Sequence, residues 1–486
     1  MHLAQSKFYK PALLLLAGVL LFGVSRVQRA MNHDRETLGL TRVTPLENAP
    51  PILAFTTVAL GGFRGLISNV LWIRANDLQD EDKFFEMVQL SDWITKLEPH
   101  FGQVWYFQAW NMAYNISVKF KDPVDRWRWV ERGINLLRDQ GIPWNPDETL
   151  LYRELSWLFQ HKMGNNLDDA HQFYKTAWAA EMTDLFGGKP NFATLIAPQT
   201  PEEKERVKTL REKYKMDPQL MKEVDELYGP LEWRLPDAHA IYWAEAGRRR
   251  AKKDDQETLR RSIYQTMQLA FVRGGLKENK IDKTFTLGPN LDLVGNVNRV
   301  YETMSAEDPA NASIKTGHKN FLVNAIYFLY VDYREAEAKR WYKYLEEHYP
   351  QALVHQSGKK LSLDEFVIVM MTEDVGETDV NKTTANIQGL LHRSFIELAL
   401  DDDDRALSSS ALATKIWNRF QSEIKGSEGR VGLKPLDEMK RIVRDQMLGP
   451  ESSVSPEIQS RIRTKLGIST PVETSTNTPP VAPIQK

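Results

Sequence analysis

The sequence contains no cysteine and almost no net charge, and each absence excludes classes of function. Without a single Cys among 486 residues, the chain has no disulfide, no thiol nucleophile and no Cys-ligated zinc or iron–sulfur centre. The formal net charge is -2, so no overall field attracts nucleic acid or an anionic bilayer. A chain without Cys is compatible with the oxidising periplasm.

Sequence motifs of catalysis and cofactor binding are missing as well. The 10 His residues form no HExxH motif and no i, i+4 pair, so a helical zinc site is not indicated. The glycine-rich stretch Gly61–Gly65 lacks the Lys-Ser/Thr of a phosphate loop, and we interpret it as a tight turn. His161 and His171 could approach each other across a helix hairpin, as a polar pair. The sequence therefore predicts a non-enzymatic protein without cofactor or metal.

An apolar run close to the N-terminus predicts membrane targeting. Lys7 and Lys10 precede the run Pro11–Val24, and Arg26 and Arg29 follow it. The run has about 14 residues, which suits a signal peptide or a short signal anchor better than a full span of roughly 20. The two arginines make a poor cleavage context, so we predict an uncleaved anchor at residues 1–30. The layout favours an N-terminus inside the cytoplasm and a body in the bacterial periplasm.

The next two segments connect this anchor to the body of the protein. Residues 31–51 are polar and end in a cluster of prolines, which predicts a spacer. The stretch Ile52–Ile73 is apolar, but Arg64 and several glycines make a lipid-exposed helix costly. We predict that it is a short extended segment that leads into the first buried helix; membrane association stays the alternative.

The body shows bulky, small and apolar residues at i, i+4 and i+7, the spacing of one buried helix face. A small residue in the middle of such a stripe lets a partner helix approach closely. The predicted packing residues are Trp105, Ala109, Met112, Tyr152, Ser156, Phe159, Ala170, Tyr174, Ala177, Ala338, Tyr342 and Leu345.

This pattern, with a proline closing each helix pair, resembles the tetratricopeptide repeat family. The resemblance is best at 147–182 and 317–350 and covers about half of the chain. Trp105 and Tyr152 are about 47 residues apart, however, whereas the family's unit has 34. The opening of the chain also looks like uncharacterised bacterial membrane-anchored repeat proteins. The resemblance implies an all-α, helix-pair solenoid with insertions, preceded by one transmembrane or signal-anchor helix.

Composition shifts divide the body into further regions. We expect repeats at 52–182 and 236–350, separated by an insertion or crossover at 183–235. A helical region follows at 351–468, and the Thr- and Pro-rich tail 469–486 has the composition of a disordered segment.

Two charge clusters have simple structural interpretations. Asp401–Asp404 lacks the alternating ligands and glycine of a calcium loop, so we expect acidic residues at the start of a helix. The basic run Arg248–Arg250, with Lys252 and Lys253 after it, is interpreted as a solvated helix end rather than a nucleic-acid or lipid patch.

One group of residues leaves the packed stripes and is our candidate binding surface. In repeat solenoids the first helix of each pair lines a concave face, where a peptide or a partner helix can bind. The predicted binding residues are Tyr106, Trp110, Asn111, Arg153 and Trp157. The alternative is that they belong to the core of a wider interface between repeats.

The sequence thus predicts a scaffold for a protein or peptide partner in the cell envelope. A periplasmic carrier, or an enzyme with a lipid- or glycan-binding cavity, is the alternative.

Overall fold

The computed structural model describes residues 9–37, 64–279, 281, 285–374, 377–423 and 432–468. These residues are mostly helical, which confirms the predicted all-α class. The first residues of the predicted anchor, most of the spacer 31–51, residues 52–63 of the predicted extended segment and the tail 469–486 lie outside the described residues. The rest of that segment, with the end of the predicted turn Gly61–Gly65, is helical and not extended.

The α-helices begin and end as follows. They are α1 Tyr9–Thr37, α2 Arg64–Asp80, α3 Phe84–Leu97, α4 Gly102–Trp110, α5 Pro123–Leu136, α6 Ile142–Trp144, α7 Thr149–Trp157, α8 His171–Phe186, α9 Phe192–Ile196, α10 Pro201–Glu212, α11 Pro218–Tyr228, α12 Pro236–Arg248, α13 Lys253–Arg273, α14 Val294–Glu307, α15 Ala312–Val331, α16 Glu335–His348, α17 Leu363–Thr372, α18 Val380–Ala399, α19 Asp403–Glu423, α20 Leu436–Leu448 and α21 Pro456–Leu466.

Shorter elements of other kinds interrupt this helical order. Wider π-helical turns follow α4, α5 and α7, at Asn111–Ile116, Leu137–Gly141 and Leu158–Met163. Turns of 3₁₀ helix are Ser117–Lys119, Leu291–Leu293 and Pro350–Leu353. The strands β1 Gly275–Glu278 and β2 Phe285–Gly288 form an antiparallel hairpin, and β3 Glu373–Asp374 pairs with β4 Glu377–Thr378. The sequence did not predict these small sheets.

Among the described residues, no helix combines the length and the apolar character that crossing a bilayer requires. This finding does not support the predicted transmembrane helix. The first helix, α1, is nevertheless 29 residues long.

The described residues divide into two compact units. The first contains the described residues within Met1–Ala177, Val207–Asp217 and Tyr242–Arg260, and the second contains those within Trp178–Arg206, Pro218–Ile241 and Arg261–Lys486.

In the first unit, helix pairs pack through small residues and an apolar core. The helices α2 and α3 form a hairpin, joined by a three-residue turn in which Asp82 has a φ of 59°. Gly133 in α5 faces α4 so closely that a Cβ there would lie 2.7 Å from the carbonyl oxygen of Ala109. Only glycine permits this approach. One cluster of the apolar core of this unit consists of Ala75, Leu78, Phe84, Met87 and Ile116.

The residues predicted to pack helices together lie in the interior, with two exceptions. The buried ones are Trp105, Ala109, Met112, Tyr152, Ser156, Phe159, Ala170, Tyr174, Ala338 and Leu345. Ala177 and Tyr342 are only half-buried. The hydroxyl of Tyr342 donates a hydrogen bond to the carbonyl of Leu361.

The second unit contains the helix hairpins α15–α16 and α18–α19. Tyr333, in the turn between α15 and α16, has a φ of 64°. The guanidinium groups of Arg393 and Arg405 lie 5.0 and 5.6 Å from the centre of its ring. Both arginines also pair with Asp332. This cluster ties the two hairpins together through cation–π and ionic contacts.

Candidate functional site

Two helices of the first unit bring aromatic side chains together at the surface. We define the aromatic surface as Tyr106, Trp110, Tyr114, Arg153, Trp157 and His161. The first three follow one another at steps of four along α4 and its π-helical turn, and the last three do so along α7 and its own π-helical turn. Steps of four keep side chains on one side of a helix.

The rings of this surface stack within each helix and are linked between the helices. The ring centres of Trp110 and Tyr114 are 5.4 Å apart, and those of Trp157 and His161 are 4.5 Å apart, with ring planes inclined by only 11°. A hydrogen bond of 2.9 Å joins the Tyr114 hydroxyl to His161 Nδ1. Trp157 remains 38% exposed. The result is a pre-formed aromatic patch, fixed on two helices and accessible at its edge.

Four of the five predicted binding residues belong to the aromatic surface, and Asn111 does not. Asn111 is fully buried. Its amide donates to the carbonyl of Phe107 at 2.9 Å and its side-chain oxygen accepts a hydrogen bond from Asn115. These amides add hydrogen bonds inside the widened turn, so Asn111 supports the helix and cannot contact a partner.

Tyr114 is not among the predicted binding residues, and His161 is predicted to form a polar pair with His171. The structure instead places His161 against Tyr114 and Trp157, while His171 Nδ1 lies 3.1 Å from the Lys175 ammonium. The missed signal was simple: both residues continue the step of four that starts at Trp110 and Trp157.

A buried ionic network lies directly beneath the aromatic surface. The Lys162 ammonium is 5.1 Å from the centre of the Tyr114 ring and 2.5 Å from Asp168 Oδ2. Asp168 Oδ1 accepts hydrogen bonds from Arg126 and from the backbone N–H of Ala170, each at 2.9 Å. The Tyr174 hydroxyl donates to Asp168 at 3.2 Å. Asp168 thereby fixes α5, α8 and the π-helical turn of α7 to one another.

The pKa values in this network follow from burial and pairing. Burial by itself raises the pKa of the Asp168 carboxyl, but the hydrogen bonds and charges of its partners lower it to about 2. Burial lowers the pKa of Lys162 and raises the pKa values of Tyr114 and Tyr174. Asp168 is therefore ionised at neutral pH, and its partners hold its charge in place.

The two charge clusters singled out in the sequence have structural partners. Asp403 and Asp404 lie in the first turn of α19, as predicted. Asp401, with a φ of 62°, pairs with Arg461 and Lys465. Among the basic residues, Arg248 and Arg249 both pair with the fully buried carboxylate of Glu245, so this helix end is anchored and not merely solvated.

Within the described residues, no group of three His, Asp or Glu side chains is arranged to hold a metal ion. Comparison of the chain with models of protein families, with curated proteins and with solved structures found no match. The aromatic surface is therefore the candidate functional site.

Proposed function

We propose that this protein is a membrane-anchored, non-enzymatic helical scaffold that captures a protein or peptide partner on the aromatic surface. For its body we infer the helix-pair architecture of tetratricopeptide repeats, which the burial of the spaced packing residues supports. The observation that carries the proposal is the stacked and partly exposed set of Trp110, Tyr114, Trp157 and His161.

The chemistry of this surface suits recognition of a peptide. Trp, Tyr and Arg are the residues that most often dominate binding energy at interfaces, because they bury a large area and retain a polar handle. Stacking and the Tyr114–His161 hydrogen bond fix these rings before a partner arrives, which lowers the entropic cost of binding. Arg153 is exposed and pairs with Glu154, so polar groups border the aromatic patch.

The membrane anchor is part of the proposal, and the exposed apolar side chains of α1 support it. Leu15 is 73% exposed and Leu21 is 70% exposed. The exposed apolar residues of this helix are Leu13, Leu15, Leu16, Val19, Leu20, Leu21, Phe22, Val24, Val27 and Met31. They surround the helix instead of forming one stripe, an arrangement that lipid satisfies and that a single protein partner would not. We place the body on the periplasmic side of a bacterial inner membrane.

The anchor is tested by extraction of membranes at alkaline pH. We expect the full chain to remain in the membrane pellet, and a Leu16→Asp/Leu20→Asp variant to move to the supernatant. A charged residue at the centre of a membrane helix costs roughly 3 kcal/mol. Release of the unaltered chain by alkaline carbonate would contradict the anchor and leave the aromatic surface unaffected.

The scaffold function is tested by site-specific photocrosslinking in native membranes. With benzoylphenylalanine in place of Trp157, we expect crosslinks to one or a few defined proteins. The matched control carries the same group in place of Leu167, an apolar residue of the same unit that is 75% exposed. Absence of adducts at position 157, or the same adducts at positions 157 and 167, would contradict the proposal.

A further inference from the structure

A second candidate site lies in the second unit. A cavity of about 310 Å³ opens between α18, α20 and the turn that precedes α21. Its polar lining consists of Gln388 and His392 of α18, Gln446 of α20, and Ser452 and Ser453 of the turn. This volume is at the small end of the range found for ligand pockets in proteins.

The lining combines uncharged polar groups with a small apolar surface. The amides of Gln388 and Gln446 can each donate and accept hydrogen bonds, as can the serine hydroxyls. Val443, Met447 and Val454 supply the apolar part. No Asp, Glu, Lys or Arg is among the lining residues. Burial lowers the pKa of His392, which keeps its imidazole neutral at neutral pH.

This lining selects the class of ligand by charge. An ionic ligand would find no opposite charge among the lining residues to offset the hydration that it loses on contact with them. An uncharged ligand with several hydroxyl or amide groups would exchange its bonds to water for bonds to the two amides, the hydroxyls and the imidazole. One apolar face of such a ligand could lie against Met447 and the two valines.

The turn at the mouth of the cavity is held in place by its own hydrogen bonds. Ser452 Oγ accepts from the backbone N–H of Val454 at 3.1 Å, and the Gln459 amide donates to the carbonyl of Val454 at 3.1 Å. On the opposite side, a Cβ built on Gly389 would meet no other atom within 4 Å. A side chain at position 389 would therefore extend into open space beside α18.

We propose that this cavity binds an uncharged polyhydroxy or amide-bearing molecule of about the size of a monosaccharide. The site is independent of the aromatic surface, since its residues belong to the other unit. It gives the protein a second ligand in addition to the proposed protein partner.

The test uses the full chain in a detergent without a sugar headgroup and measures saturation transfer from the protein to added sugar by NMR. D-glucose and N-acetylglucosamine are the neutral sugars, and D-glucuronate is the charged analogue of the same size. We expect saturation transfer to at least one neutral sugar and at least a tenfold weaker effect for glucuronate.

Gly389 is one of the residues that line the cavity, so a Gly389→Leu variant adds a side chain to its wall and should reduce the saturation transfer at least tenfold. Leucine is a better helix former than glycine, so the substitution should not unfold α18. The control is Gly295→Leu in α14, another exposed helical glycine whose Cβ would meet nothing within 4 Å. Transfer retained in Gly389→Leu, lost equally in both variants, equal for glucuronate, or absent for both neutral sugars would overturn the proposal.

Discussion

Replacement of Asp168 by alanine is expected to reduce the free energy of unfolding of the first unit by about 3–5 kcal/mol. The substitution leaves the ammonium of Lys162, whose side chain is 4% exposed, without its carboxylate. It also removes one of the acceptors of Arg126 and the acceptor for Tyr174 and for the N–H of Ala170. A buried charge that loses its partner is far more costly than a surface pair.

The neighbouring residue provides a matched control. Asp169 also pairs with Arg126, but its side chain is 83% exposed. Asp169→Ala should therefore change the stability by less than about 1 kcal/mol. Denaturant unfolding followed by tryptophan fluorescence measures both variants. Equal effects of the two substitutions would mean that the Asp168 network contributes nothing beyond a surface ion pair.

The same residue predicts how stability depends on acid. The folded-state pKa of Asp168 is about 2, below its ordinary value of 3.8. A carboxyl whose pKa is depressed by folding stabilises the protein above its unfolded pKa and loses that contribution as the pH falls through the folded pKa. We expect about 2 kcal/mol to disappear between roughly pH 5 and pH 2. Asp168→Asn, which cannot ionise, should flatten this part of the stability curve.

Replacement of both Trp110 and Trp157 by alanine is expected to weaken partner binding by at least about 30-fold, the equivalent of one interface hot spot of 2 kcal/mol. The effect should be smaller than the product of the two single substitutions, because Trp110 and Trp157 are linked through Tyr114 and His161. The measurement is the yield of the defined partner on co-purification from membranes, followed by affinity with the purified pair.

Two further variants separate binding from folding. Trp110→Phe/Trp157→Phe keeps stacked rings and should restore part of the affinity. Trp144→Ala removes a half-buried tryptophan of the same unit that stacks edge-on with His100, and it should leave binding unchanged. If the double alanine variant is folded and binds like the unaltered chain, the aromatic surface is not the docking site.

The all-α class and several buried residues could be predicted from the sequence. The reason is that apolar residues recur every 3.6 positions on the buried face of a helix, and this period depends only on which side chains avoid water. Trp105, Tyr152 and Tyr174 are buried and could be selected on that ground. The β1–β2 hairpin was not predictable from helical periodicity, since its four-residue strands are half-exposed and lie in a glycine- and asparagine-rich stretch.

The binding surface was harder to predict, and Asn111 shows why. Counting positions on an ideal α-helix places this residue beside Trp110, at the edge of the packed stripe. The chain enters a π-helical turn at Asn111, so the count no longer gives the direction of the side chain. The step of four could have placed Tyr114 and His161 on the surface, but the hydrogen bond that joins them runs between two helices, and no spacing along one helix encodes such a contact.

The three π-helical turns of the first unit also affect how its ancestry can be traced. Each i→i+5 turn accommodates one residue more than an α-helical turn, so each acts as an insertion that leaves the helix unbroken. Two related helices that differ by one such turn would follow the same path in space. After the turn, however, their sequences would be offset from each other by one residue. A repeat of fixed length would then fail to align with this chain even where helix pairs stack alike. Searches for its relatives should therefore allow single-residue gaps inside helices, at Asn111–Ile116, Leu137–Gly141 and Leu158–Met163.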